Sequence, residues 1–121
     1  MPSGLSAPLL VFLGGGLGSL LRYLASLTVG GPLATLTVNL AGCFAIGLIA
    51  AAVPSFAGNI RLFFLTGLLG GFTTMSAFSL DALTLWQRGQ GPSALAYVAA
   101  TLLGSLAAVA VGAGIGTAMA R

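Results

Sequence analysis

The chain has 121 residues, 58% of them hydrophobic, and its only charged side chains are four Arg and one Asp. Soluble domains carry about a quarter charged residues, so a water-facing surface cannot be built from 4%; soluble globular folds, disorder and collagen-like repeats are excluded, and the chain reads as an integral membrane protein. With no His, Lys or Glu, general acid–base work is left with Asp81 alone, and a thiolate triad and a zinc site lack their residues, so an enzyme is not expected.

Turn residues divide the chain into four apolar stretches, each long enough to cross about 30 Å of hydrocarbon at about 1.5 Å per residue. The first runs from about Leu5 to Leu27 and stops at Gly30-Gly31-Pro32; it lacks the basic n-region of a signal peptide and is read as retained. The second covers about Leu33 to Val53. A short polar link, Pro54-Ser55-Phe56-Ala57-Gly58-Asn59, leads to the third, about Ile60 to Trp86. Gln87-Arg88-Gly89-Gln90-Gly91-Pro92 closes the third, and the fourth runs from about Ser93 to Ala118. All four are apolar on every face, which suits helices and not the alternating strands of a barrel. The expected fold is all-α, a single four-helix transmembrane domain.

Four spans put Arg61 and Arg121 on one side of the membrane and Arg22 and Arg88 on the other. Topology follows the Lys/Arg bias between short loops, and here the count is two against two. The balance predicts insertion in both directions and pairing as an antiparallel homodimer; the alternative is one fixed topology set by helix hydrophobicity. A net charge of +3 is too small to argue for a nucleic-acid partner. Cys43, alone in an apolar run, reads as a packed small hydrophobe.

Gly14 and Gly18, Gly67 and Gly71, and Gly112 and Gly116 are small-xxx-small pairs, assigned to close helix packing. The third stretch is less regular. Gly67, Gly70 and Gly71 precede the β-branched Thr73 and Thr74 in mid-span, all poor helix residues. Backbone breaks at membrane depth occur where protein or a watery cavity surrounds them, and their freed carbonyls can coordinate cations. A break around Gly70–Thr74 is therefore a candidate functional feature, with an intact Gly-rich packing helix as the alternative. Asn39 in the second span, Ser76 and Ser79 in the third, and Tyr97, Thr101 and Ser105 on one face of the fourth add polar groups inside the bilayer. All can donate hydrogen bonds and none is acidic, so such a lining suits an anion or neutral solute. For Asn39, lining and helix–helix bonding stand equal. Arg22 and Tyr23 read as interfacial anchors, and Asp81 lies near the end of the third span. Four helices cannot enclose an aqueous path unaided, which puts any path at a protomer interface.

Three motifs carry a resemblance. Gly14-Gly15-Gly16-Leu17-Gly18-Ser19-Leu20-Leu21-Arg22-Tyr23, Thr35-Leu36-Thr37-Val38-Asn39-Leu40-Ala41-Gly42 and Gly70-Gly71-Phe72-Thr73-Thr74-Met75-Ser76-Ala77-Phe78-Ser79-Leu80-Asp81 together resemble the signatures of the bacterial fluoride channel, or camphor-resistance, family. The resemblance implies a passive, fluoride-selective channel that lowers fluoride toxicity, multi-pass in the bacterial inner membrane. It also implies an antiparallel dual-topology homodimer with a structural sodium ion held by the backbone carbonyls of Gly70 and Thr73 of both subunits. By motif, Asn39, Met75, Ser76, Phe78, Ser79, Tyr97 and Thr101 fall on the fluoride path, with Arg22 and Asp81 at a vestibule or dimer end. Met75 stands where the signature usually has Phe, Ala77 where it has Thr, and Ala34 where a Gly is common. A small multidrug/proton antiporter and a structural membrane subunit are the competing readings; the first needs a membrane-embedded acid that the first span lacks.

Overall fold

The structure, a computed structural model, describes residues 4–55 and 57–121; Phe56 of the expected link lies outside them. Helix α1 spans Ser6–Thr28 and α2 spans Gly31–Ala52. The third span opens with α3, residues 58–72, and resumes as α4, Met75–Gln87. Helix α5 spans Gly91–Met119. All four spans are long and apolar enough to cross a membrane. The 29 residues of α5 rise about 43 Å at about 1.5 Å each, more than one hydrocarbon thickness.

Helices α2 and α5 start before their prolines, not after them as the turn residues suggested. Pro32 and Pro92 each occupy the first helical turn, where the missing N–H has no intrahelical partner to lose. Gly31 opens α2 with φ +65° and Gly89 turns the chain between α4 and α5 with φ +77°, a region that side-chain-bearing residues rarely adopt.

Close backbone approach fixes two helix pairs. Helix α1 lies on α3: a Cβ on Gly14 would stand 2.5 Å from the Phe63 carbonyl oxygen, and one on Gly18 would collide with the Leu68 carbonyl oxygen. Helix α2 lies on α5 in the same manner, with Gly47 against the Val109 carbonyl and Gly112 against that of Phe44. The glycine pairs therefore pack helices, as small residues do where hydrophobic burial gives no drive for association. The buried interior is thin, with Val38, Leu65, Phe78 and Tyr97 as its larger members, while Phe12, Leu95, Leu103 and Leu106 are exposed. Such a surface suits lipid or a partner subunit.

Within α3, residues Leu62–Leu69 form a π-helix between α-helical Gly58–Arg61 and Gly70–Phe72. Periodicity gave no sign of this widened stretch, since every residue in it but Thr66 and Gly67 is a large hydrophobe.

Candidate functional site: the helix break and the groove beside it

The third span is interrupted at Thr73 and Thr74, whose φ/ψ values of −88°/155° and −152°/121° are extended. The glycines just before the break stay helical, with Gly70 at −62°/−38°. Two residues from outside the regular ladder hold the interruption open. Asn39, 7% exposed on α2, clamps the Thr74 peptide group from both sides: Thr74 N–H donates to Asn39 Oδ1 at 2.7 Å, and Asn39 Nδ2 donates to the Thr74 carbonyl at 3.0 Å. Thr74 itself caps α4, its Oγ1 accepting from Ala77 N–H at 3.1 Å, which is the usual service of Thr at this position.

The clamp and cap leave two carbonyls without their helical donors. In an unbroken helix Thr74 N–H would close on the Gly70 carbonyl and Ala77 N–H on that of Thr73; both amides are engaged elsewhere. Arg22, expected as a snorkelling anchor, instead reaches this region from α1, where its Nε donates to the Gly71 carbonyl at 3.2 Å. A charge-assisted donor thus meets the last turn of α3, where carbonyl oxygens accumulate.

Beyond the break, Asp81 gathers two hydroxyls. Thr35 Oγ1 donates to Asp81 Oδ2 at 2.7 Å and Tyr97 OH to the same oxygen at 3.2 Å. The acid is half-buried and engaged. Thr35 lay in a motif but carried no role in the sequence reading; nothing in its spacing announced an acid 46 residues away. Phe78 is buried and its ring sits 5.3 Å from that of Tyr97 at an interplanar angle of 52°.

A groove of about 330 Å³ runs along the break, walled by Asn39, Thr73, Thr74, Met75, Phe78 and Thr101 among others. The expected face Tyr97–Thr101–Ser105 divides here: Tyr97 turns to Asp81, while Thr101 and Ser105 line the groove. Thr101 is 4% exposed and its Oγ1 has no hydrogen-bond partner. Ser76 lies outside the groove lining, its hydroxyl 3.2 Å from Thr74 Oγ1, and Ser79 bonds back to the Met75 carbonyl at 2.9 Å. Cys43, expected as packing, also stands on the groove wall and is half-buried. A smaller cavity of about 190 Å³ lies on the other side of the break, lined by Arg22, Tyr23, Thr35 and Thr74 among others.

Four apolar spans, the third of them dissected beside a groove without a charged lining residue, define a polytopic membrane protein with an intramembrane polar site. Residues 9–113 match the family described as CrcB-like protein, Camphor Resistance (CrcB), and the chain belongs to that family. It is 52% identical to a protein named fluoride-specific ion channel FluC from Paracoccus denitrificans (strain Pd 1222), over 88% of this chain and 90% of the relative. Proteins of the same name from Chelativorans sp. (strain BNC1) and Rhizobium etli (strain CIAT 652) are 47% and 44% identical, covering 86% and 92% of this chain and 90% and 96% of theirs.

Proposed function

We propose that the protein is a passive fluoride-selective channel of the bacterial inner membrane, through which cytoplasmic fluoride leaves and its toxicity falls. The observation that carries this reading is the groove itself: its lining holds uncharged hydrogen-bonding residues, among them Asn39 and Thr101 with its buried, unpartnered hydroxyl, and no fixed charge. Family membership and the names of the relatives support it independently.

Fluoride is small and strongly hydrated, so a path must replace its water with donors without binding it too tightly to release. The donors divide into free and committed ones. Asn39 spends one amide hydrogen on Thr74 and has a second available. Thr101 has its proton free, Ser76 shares a contact with Thr74, and Ser79 has spent its own on Met75. The positive edge of the Phe78 ring adds an apolar surface that an anion tolerates, and Met75 supplies bulk on the outer wall. Tyr97 holds Asp81 and thereby keeps the only acidic side chain away from the groove. Arg22, on the smaller cavity, supplies positive charge at an approach to the break. An antiparallel homodimer of oppositely inserted copies would complete the path, since the groove is open along the exposed face that carries Met75.

The released carbonyls of Gly70 and Thr73 fit a structural sodium ion, because a hard cation takes oxygen ligands and these two lack their helical amides. A bound sodium would offset their partial negative charge, and two such pairs from facing subunits would tie a dimer across its axis. Efflux from proteoliposomes under a potassium gradient with valinomycin tests the reading, with chloride in parallel and N-methylglucamine replacing sodium in a second series. Fast fluoride loss with chloride retained is expected. A well-folded protein that passes neither ion, or both equally, would overturn it.

A further inference from the structure

Thr73, where the third span leaves its helix, is held by both branches of its side chain. Its Oγ1 donates to the Leu69 carbonyl at 3.0 Å, the same oxygen that accepts Thr73 N–H at 3.1 Å. That bond to the preceding turn selects one staggered position of the side chain. The γ-methyl then meets α2 at Gly42, where an added Cβ would collide with it and would also stand 3.5 Å from the Phe72 ring. Gly42 is buried and lies within helical α2, so glycine serves here for space and not for backbone freedom. It follows Asn39 by three residues, which puts both on one face of the helix. Asn39 Oδ1 accepts Thr74 N–H, and that N–H shares its peptide group with the Thr73 carbonyl. Because the group is planar and trans, the carbonyl points away from Asn39.

We propose that Gly42 is a positioning residue: by seating the Thr73 γ-methyl it fixes, together with Asn39, the direction of the Thr73 carbonyl at the break. A methyl at position 42 cannot be met by rotating the Thr73 side chain, since rotation would break the Oγ1 bond to Leu69. The displacement passes to the backbone and turns the carbonyl. The consequence for sodium rests on the reading of Gly70 and Thr73 as its ligands; the seat itself does not.

Sodium titrations of the purified full chain in mixed micelles, with N-methylglucamine keeping the ionic strength constant, test the seat. The reading is the denaturant midpoint from Trp86 fluorescence, which should rise with sodium in the wild type. Gly42→Ala should lower the sodium-free midpoint and raise the sodium concentration at half-rise roughly tenfold, as changes behind a metal ligand do. Thr73→Ser removes the γ-methyl and keeps the hydroxyl, so Gly42→Ala/Thr73→Ser should match Thr73→Ser alone in both readings. Gly16→Ala, with nothing within 4 Å of its Cβ, should match the wild type. An unshifted half-rise in Gly42→Ala would overturn the positioning role, as would a double variant no better than Gly42→Ala. If Gly42→Ala does not fold, a folded double variant supports the seat and an unfolded one overturns it. A wild-type midpoint indifferent to sodium would instead fault the sodium reading, and the sodium-free midpoints of the same variants would still decide the seat.

Discussion

Replacing Asn39 separates its clamp role from simple space filling. Asn39→Leu keeps the number and branching of side-chain heavy atoms, with bulkier methyl groups, but removes both hydrogen bonds to the Thr74 peptide group. Interhelical bonds in membranes average about 0.6 kcal/mol, so the pair contributes about 1.2 kcal/mol on that scale. Stranding a buried N–H and a C=O costs about 1–3 kcal/mol each where water cannot reach. Thr74 is only half-buried, which places the loss between these limits, at about 1–3 kcal/mol. Asn39→Asp preserves size and shape and retains an acceptor for Thr74 N–H. It also faces an oxygen against the Thr74 carbonyl and puts a negative charge into a site that is 7% exposed. An uncompensated buried charge costs about 3–5 kcal/mol, so the isosteric change should be the more damaging of the two. Denaturant unfolding in mixed micelles, read from the fluorescence of Trp86, the only Trp, gives the order wild type, Asn39→Leu, Asn39→Asp. Equal stability of Asn39→Asp and wild type would refute the clamp, and fluoride efflux retained in that variant would remove Asn39 from the path.

Other substitutions probe separate parts of the molecule. Phe78→Ile removes the ring that lies 5.3 Å from Tyr97 and should nearly abolish fluoride efflux while size-exclusion chromatography still shows a folded protein; undiminished efflux would take Phe78 off the path. Gly18→Val should cost about 1–3 kcal/mol by forcing α1 off the Leu68 carbonyl, whereas Gly16→Val, with nothing within 4 Å of its Cβ, should unfold at the wild-type denaturant concentration. Asp81→Ala leaves the Thr35 and Tyr97 hydroxyls without their shared acceptor and should lower stability by about 1–3 kcal/mol. Asp81→Asn, which still presents an oxygen, should recover most of that loss in the same measurement.

The sequence revealed features governed by local chemistry and withheld those set by partners on other helices. Glycine spacing identified the close-packed faces, because the absence of a Cβ is itself the reason those helices approach. Poor helix formers pointed to an interruption near Gly70–Thr74, yet the extended residues are Thr73 and Thr74 alone. Propensity could not choose between glycine and threonine there. The choice is made by Asn39, which captures one particular peptide group from another helix, and by Gly71, whose Cβ position would lie against the Gly15 carbonyl and which therefore serves packing. The hydrogen bonds of Arg22 and Asp81 were hidden for a related reason: a charge near a span end suggests solvent, and nothing in the spacing announces that the Gly71 carbonyl and two hydroxyls lie within reach. Nothing in an apolar octapeptide distinguishes an i→i−5 ladder from an i→i−4 one, so the π-helical Leu62–Leu69 was invisible.

The two tight helix pairs join elements that are not neighbours in the chain, and this has a consequence for biogenesis. Helix α2 ends at Ala52, but its packing partner ends only at Met119. At translation rates of about 5–20 residues per second, the 67 intervening residues (119 minus 52) take about 3–13 s to emerge. Throughout that interval the second span must wait in the membrane with its glycine face uncovered. A nascent chain stalled before α5 would therefore expose the small-residue surface on Gly47 that the finished protein conceals against Val109.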